Sequence, residues 1–241
     1  RRAEGRTAPN PPVGCAIVSA GGQLLASGHT AVGGRPHAET EALEMAGEAA
    51  QGATAYVTLE PCSHTGQTGP CSDALVAADI ARVVIAMRDP DPRVNGRGIE
   101  ALAEKGVALQ IGVEAEAARR VMAGFLMRTS KARPLVTLKT ATSIDGMIAL
   151  EDGAKRWITG PLMRRAVHLL RSRSEGLLSA VGTVLADDPQ FTCRLAGLHR
   201  DSPHRFILDA SLRTPPSARL FEAAGDVGLT FFCREDCDPQ K

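Results

Sequence analysis

The tightest constraint on the fold is that three separated groups of residues carry complementary chemistry only if the chain brings them to one point. They are His37-Ala38-Glu39, Pro61-Cys62 and Cys71, with eight residues lying between the two cysteines. Around them, stretches of strand and helix character alternate. Val13 to Val18 and Gln23 to Ser27 read as strands joined by a hairpin at Ala20-Gly21-Gly22. Gly33-Gly34-Arg35-Pro36 breaks the chain before a helix carrying His37 and Glu39, in which Leu43, Ala46 and Ala50 recur at helical spacing. Ala53 to Leu59 reads as a strand that delivers Cys62 just beyond its carboxyl end. A helix from Cys71 to Ala78, a strand from Arg82 to Met87, a helix from Gly98 to Lys105 and a strand from Val107 to Ile111 follow. This alternation predicts an α/β sheet covered on both faces, with ligands outside the carboxyl ends of its strands. His37 and Cys62 are expected to converge there.

One imidazole and two thiols form a three-ligand set for tetrahedral zinc, which leaves the fourth position to a water whose pKa falls to about 7. His37, Cys62 and Cys71 are therefore the expected metal ligands. Glu39, in the first turn of its helix, is expected to face the same pocket without ligating and to move protons there. Cys71 is expected at a helix start, where the positive end of the peptide dipoles favours a thiolate. His-x-Glu with Pro-Cys-x-x-Cys is the general signature of zinc deaminases. Here the second cysteine is displaced by the stretch from Ser63 to Pro70. Three alternatives stand beside this reading. The cysteines could be ordinary buried residues, which suits each alone better than the motif as a whole. They could form a disulfide, for which the chain offers no sign of an oxidising compartment. Zinc could be purely structural, which needs a fourth ligand, and His64 is the nearby candidate.

A chain of 241 residues accommodates one large domain or two ordinary ones. A net charge of +1 and an aromatic content of 3% give neither the electrostatic footprint nor the stacking platforms of a nucleic-acid binder. No apolar run reaches the roughly 18 residues a membrane span needs, and the ends show no recognisable targeting signal. A cytoplasmic, homo-oligomeric enzyme acting on small molecules, with no nucleic-acid or membrane partner, is expected. Six irregularly spaced cysteines do not make a secreted disulfide scaffold. Cys15 reads as core, and Cys193, Cys233 and Cys237 lie in no metal motif.

Glu114 to Met127 reads as a connecting helix, after which Arg133-Pro134 restarts the chain. Beyond it come a strand from Leu135 to Thr140, strand or loop through Leu150, and a helix from Pro161 to Arg171 begun by a proline in its first turn. Strands from Gly176 to Val181, Arg205 to Leu208 and Leu229 to Cys233 complete the second unit. It contains no Gly-x-Gly-x-x-Gly or phosphate-loop pattern.

A resemblance adds to this. His37-Ala38-Glu39, Tyr56-Val57-Thr58-Leu59-Glu60-Pro61-Cys62-Ser63-His64 and Gly69-Pro70-Cys71 resemble the bifunctional pyrimidine deaminase/reductase family of riboflavin biosynthesis. Asn10-Pro11-Pro12-Val13-Gly14, Arg88-Asp89-Pro90-Asp91-Pro92, Gly96-Arg97-Gly98, Ser143-Ile144-Asp145-Gly146, Trp157-Ile158-Thr159 and Ala186-Asp187-Asp188-Pro189 fall in the family's order. The resemblance implies a cytidine-deaminase-like three-layer α/β/α domain over 1–113, a connecting helix over 114–132, and a dihydrofolate-reductase-like α/β domain over 133–241. It implies zinc-dependent hydrolytic deamination of 2,5-diamino-6-(5-phosphoribosylamino)pyrimidin-4-one, then NADPH-dependent reduction of the ribosyl chain to ribityl. An alternative is a zinc deaminase of another nucleoside or base with a noncatalytic second domain.

Carried over by position, Ala141, Trp157, Thr183, Asp187 and Ser211 would contact NADP. Asn10, His64, Thr68 and Asp91 would meet the deaminase substrate, and Lys155, Arg171, Phe191 and Arg194 the reductase substrate. Arg171 and Arg194 suit a phosphate monoester, which guanidinium binds bidentately. On the residues alone, Arg171 reads as a solvated helix face, Trp157 as core and Asp187-Asp188-Pro189 as a turn. The family's sequences continue through a glycine-rich segment that binds the NADP phosphates, so the reductase domain is expected to lack its C-terminal part; an initial helix is also missing. Lys155 stands in place of a small hydroxyl residue, Gln67 where a cation is common, and Asp91 where Asn is common. His29 is displaced by one from the usual histidine, leaving Thr30 there, and Glu41 replaces another. Losing a cation and gaining a carboxylate should weaken a phosphorylated ligand.

Overall fold

In the computed structural model, which describes residues 2–65, 69–149 and 157–237, the chain divides into two units, Arg1–Val136 and Thr137–Lys241. Strand β1 (Gly14–Val18) buries Cys15 and Ile17 on one face, the two-residue period of a pleated strand. It pairs antiparallel with β2 (Leu24–His29) through a tight turn in which Gly22 takes φ 83°. Helix α1 (Ala38–Ala46) then lies on β2 so closely that a Cβ at Gly28 would meet the Ala38 carbonyl oxygen at 2.3 Å. That contact sets the height of the first turn of α1, where His37 and Glu39 sit.

Strand β3 (Thr54–Val57) pairs antiparallel with β1. Helix α2 (Cys71–Ala77), strand β4 (Arg82–Ile85), helix α3 (Arg97–Glu104) and strand β5 (Ala108–Ile111) extend the sheet in parallel from β3, giving the order β2-β1-β3-β4-β5. Ile17, Leu59, Leu75, Ile85 and Leu102 are fully buried between sheet and helices. The expected helix from Glu114 to Met127 is two helices, α4 (Ala115–Val121) and α5 (Ala123–Lys131). Met122, at φ −98° and ψ 12°, marks the division: its N–H still donates to Ala118 at 3.1 Å and its carbonyl accepts from Leu126 at 2.9 Å, but its backbone leaves the helical range two residues ahead of Gly124, a poor helix former. Ala118 and Met122 are buried in the first unit's core, and Phe125 and Leu126 pack against it.

One buried carboxylate ties this unit together next to Cys62. Glu60 accepts backbone N–H groups from Gly96 (2.8 Å), Gly98 (3.0 Å) and Asp89 (3.2 Å), so the loop from Asp89 to Gly98 is held on the end of β3. Gly98 must be glycine, because a Cβ there would lie 2.0 Å from the Pro61 carbonyl oxygen.

In the second unit, helix α6 (Pro161–Ser172) has Pro161 in its first turn, as expected. Strands β6 (Gly176–Ala180), β7 (His204–Leu208) and β8 (Leu229–Phe232) form a parallel sheet in that order. Helix α7 (Val181–Asp187), which the sequence reading missed, follows β6 directly. Arg205 is fully buried and donates to the carbonyls of Gln190, Leu220, Ala223 and Val227, joining the segments around its own strand. The expected strand from Leu135 to Thr140 is not one: these residues are exposed and irregular. Their apolar and β-branched residues suit a strand, but a strand exists only through a neighbour's hydrogen bonds, and no described strand lies beside them.

The Glu60 tie gives a pH-dependent prediction. Burial pushes the Asp89 carboxyl from 3.8 up to about 6. Between those values the native state holds a proton that the unfolded chain has released, so stability falls as pH rises through the window and the loss is complete above it. Asp89→Asn keeps the oxygen that accepts the Asp91 amide at 2.9 Å. In denaturant titrations the variant should be more stable than the parent at neutral pH, by up to about 3 kcal/mol, with the gap closing as the pH falls towards 4. Equal stability at neutral pH would contradict this account.

Candidate metal centre and active site

The backbone at His37 is extended, at φ −73° and ψ 160°, and the residue caps the amino end of α1. Its ring is thereby turned off the helix towards Cys71, the first residue of α2. Nδ1 of His37 lies 3.3 Å from Cys71 Sγ and 3.7 Å from Cys62 Sγ. The Cys71 backbone N–H donates to Cys62 Sγ at 3.3 Å, and the Ser72 N–H to the Cys62 carbonyl at 3.1 Å, fixing the post-strand segment against the start of α2. The three donor atoms all lie within 4.8 Å of one another. Tetrahedral ligands about 2.3 Å from zinc stand roughly 3.8 Å apart, so this donor set fits one such ion. His64, the candidate fourth ligand of a closed structural site, is outside the group, and both cysteines are free thiols.

The electrostatics suit a metal as well. A hydrogen bond with Cys71 is the main cause that brings the Cys62 thiol down to about 4, and the same bond and burial push the Cys71 thiol up. The pair thus holds one thiolate and one proton, and a metal drawing on both sulfurs must displace that proton. Glu39, two residues beyond His37, is only 4% exposed. Burial is the main cause that raises its carboxyl to about 7, so near neutrality it can either take up or give up a proton.

Glu39, His37 and Cys62 open on a cavity of about 260 Å³ that is also lined by Asn10, Thr30, His64 and Asp91. Asn10 donates from its amide to the Gly34 carbonyl at 2.8 Å, which orients the side chain. His64 has a buried Nδ1 with no hydrogen-bond partner among the described residues. Gln67 and Thr68 lie outside the described residues, as does Lys155.

Two expectations about charge change. Glu41 does not line the cavity; its carboxylate accepts the His29 backbone N–H and stands 3.2 Å from His29 Nδ1. The two departures at His29 and Glu41 therefore answer each other. Thr30 lines the cavity, but its hydroxyl is used on the backbone, accepting from Val13 N–H at 3.0 Å and donating to the Pro11 carbonyl at 2.9 Å. Asp91, expected to repel a phosphate, is held in its ionised form chiefly by Arg93, whose guanidinium contacts it at 2.6 Å. Arg93 was missed by sequence reasoning, as were Arg35 and Arg128, which also line the cavity. The spacing of Asp91 and Arg93 was a readable signal; Arg128, on α5, reaches the Pro9 carbonyl through a long-range contact that no local pattern announces.

In the second unit, three expected substrate residues come together. Arg171 stands over the Phe191 ring at 5.9 Å and donates to the Thr192 carbonyl at 3.0 Å. Burial, then the nearby charge of Arg194, lowers the Arg171 pKa. Two guanidinium groups therefore stand near one another beside Phe191. Thr183 and Asp187 are exposed one turn apart on α7, and Ser211 follows β7, so both segments lie past the carboxyl ends of adjacent parallel strands. Trp157 is 78% exposed and stacks against Arg164, 4.5 Å away. Ala141 is half-buried in the irregular segment ahead of α6.

Residues 1–87 match the cytidine and deoxycytidylate deaminase zinc-binding region, and residues 134–241 match the RibD C-terminal domain. The riboflavin biosynthesis protein RibD of Escherichia coli is 43% identical over 98% of this chain, and that of Aquifex aeolicus 42% over 95%. The chain spans just under two thirds of the length of these curated relatives, 66% and 65%. Among solved structures, a diaminohydroxyphosphoribosylaminopyrimidine deaminase/5-amino-6-(5-phosphoribosylamino)uracil reductase from Thermotoga maritima is similar at a TM-score of 0.89 and 38% identity. The match covers 98% of this chain and 67% of that one. RibD of Acinetobacter baumannii is similar at 0.83 and 42% identity, with the same coverage. With a deaminase region ahead of a RibD C-terminal domain, and this likeness running almost from end to end, the chain belongs to the RibD family of riboflavin biosynthesis proteins.

Proposed function

We propose that the first unit hydrolytically deaminates 2,5-diamino-6-(5-phosphoribosylamino)pyrimidin-4-one, and that the second reduces the ribosyl chain of the product to ribityl with NADPH. The observation that carries the first step is the convergence of His37, Cys62 and Cys71 beside a buried carboxylate that is not part of the ligand set. Zinc held by those three residues would supply a water acidic enough to be deprotonated at neutral pH. Glu39 takes the proton of the attacking water, hands it to the ring nitrogen, and delivers one to the departing ammonia. A carboxyl raised by burial to about 7 suits both directions of transfer. Asn10, anchored on Gly34, orients the pyrimidine, and the buried Nδ1 of His64 offers a polar contact on the same wall.

The second step rests on the arrangement of Arg171, Phe191 and Arg194, which suits a phosphorylated substrate, and on the place of Thr183, Asp187 and Ser211 past the strand ends, which suits a dinucleotide. Ala141 and Trp157 complete the cofactor set by position. No helix among the described residues is long and apolar enough to cross a membrane. Small polar substrates of this class are met in the cytoplasm, where we place the protein as a homo-oligomer.

Glu39→Gln tests the deaminase directly. The variant should keep its zinc and release ammonia at least about a hundredfold more slowly, the scale of a lost general acid-base group. Parental turnover in a zinc-loaded variant would remove Glu39 from the mechanism. Trp157 is the single tryptophan of the chain, which gives the cofactor site its own readout. Titration with NADPH should quench Trp157 emission and sensitise nicotinamide fluorescence; unchanged Trp157 emission at saturating NADPH would rule out its assigned contact.

A further inference from the structure

Arg93 lines the same cavity as Glu39 and Cys62, yet its side chain is 73% exposed. An exposed arginine is ordinarily a mobile charge worth little. This one is held. Asp91 takes Nε at 3.0 and 3.2 Å and Nη2 at 2.6 Å, and the Arg93 backbone N–H also donates to Asp91 at 2.9 Å. Asp91 is in turn fixed by its own N–H on Asp89 at 2.9 Å, and the Asp89 N–H by Glu60 at 3.2 Å. Glu60 adjoins Pro61-Cys62, so a short series of hydrogen bonds sets the position of the guanidinium relative to the metal centre.

We propose that Arg93 selects substrates bearing a phosphomonoester, a specificity role that rests on the deaminase reading of this cavity. Guanidinium carries five N–H donors in a planar fork. Asp91 occupies the edge formed by Nε and Nη2. The Nη1 side of the fork keeps the paired donors that match phosphate oxygens. Asp91 thus serves as the tether of the cation, and the negative charge it brings to the cavity is balanced by the guanidinium it holds at 2.6 Å. The arrangement supplies a cation to a cavity whose sequence has Gln67 where a cation was expected. Each partner shifts the other's pKa in the direction that favours the ion pair, Asp91 downward and Arg93 upward.

The test compares the parent chain with Arg93→Gln, zinc being quantified in each, on the diaminopyrimidinone ribonucleotide phosphate and on its dephosphorylated ribonucleoside. The variant should raise KM about tenfold for the phosphorylated substrate, the scale of one charge-assisted phosphate contact, while kcat and the KM for the ribonucleoside stay unchanged. Arg93→Lys, which keeps the charge without the fork, should fall between the two and serves if the glutamine variant does not fold. No change, or an equal rise for both substrates, overturns the proposal. A second readout does not depend on deamination. D-ribose 5-phosphate should bind about tenfold more weakly to Arg93→Gln by calorimetry, with D-ribose as the uncharged control and binding at the second unit common to both proteins. If the parent releases no ammonia but the ribose 5-phosphate difference holds, the deaminase reading fails and Arg93 stands; if affinity is unchanged, Arg93 fails by itself.

Discussion

A carboxylate buried beside a would-be metal ligand is costly unless its oxygens are satisfied, and Glu60 meets that demand with backbone amides rather than a cation. Gly98 lies in the first turn of α3, so the carboxylate also sits at the positive end of a helix. These bonds decide where the loop from Asp89 to Gly98 runs and how closely α3 approaches Pro61. Cys62 follows at once, delivered to a point that Cys71 and His37 reach from the starts of two other helices. The metal centre is therefore a consequence of how strand ends and helix starts are packed, and it needs no dedicated loop to assemble it.

The same geometry explains why chemistry gathers at one edge of the sheet. Strand ends deliver side chains and helix starts offer free backbone N–H groups, so the negative charge expected on Cys71 falls instead on Cys62, whose sulfur accepts the Cys71 N–H at 3.3 Å. Burial then acts on Glu39 in the opposite sense, holding its proton until near neutrality. One cavity is so lined by His37 and Cys62 of the ligand set and by a carboxyl suited to proton transfer. In the second unit, Thr183, Asp187 and Ser211 follow the same rule past the ends of β6 and β7.

Much of this was legible in the chain. The periods of β1 to β5 and of α1 to α3 are local properties, and the spacing of Gly33-Gly34-Arg35-Pro36 to His37 placed the ligand at a helix start. What escaped was non-local. Whether Glu41 faces the cavity or His29 depends on how closely α1 lies on β2, which the contact at Gly28 sets. The break at Met122 reflects how α4 and α5 pack on the first core, not helix propensity alone. Leu135 to Thr140 has the pattern of a strand but no described neighbour to pair with. Arg93 escaped because a charged residue after a proline reads as a solvated turn until its partner is seen.

X-ray absorption at the zinc edge of the purified chain reads the ligands of the metal themselves. The account predicts one zinc per chain whose protein ligands are two sulfurs at about 2.3 Å and one imidazole nitrogen at about 2.0 Å, with the sulfur shell falling to one in Cys62→Ser or Cys71→Ser. A parent spectrum with two imidazoles, or one left unchanged by either substitution, would contradict it.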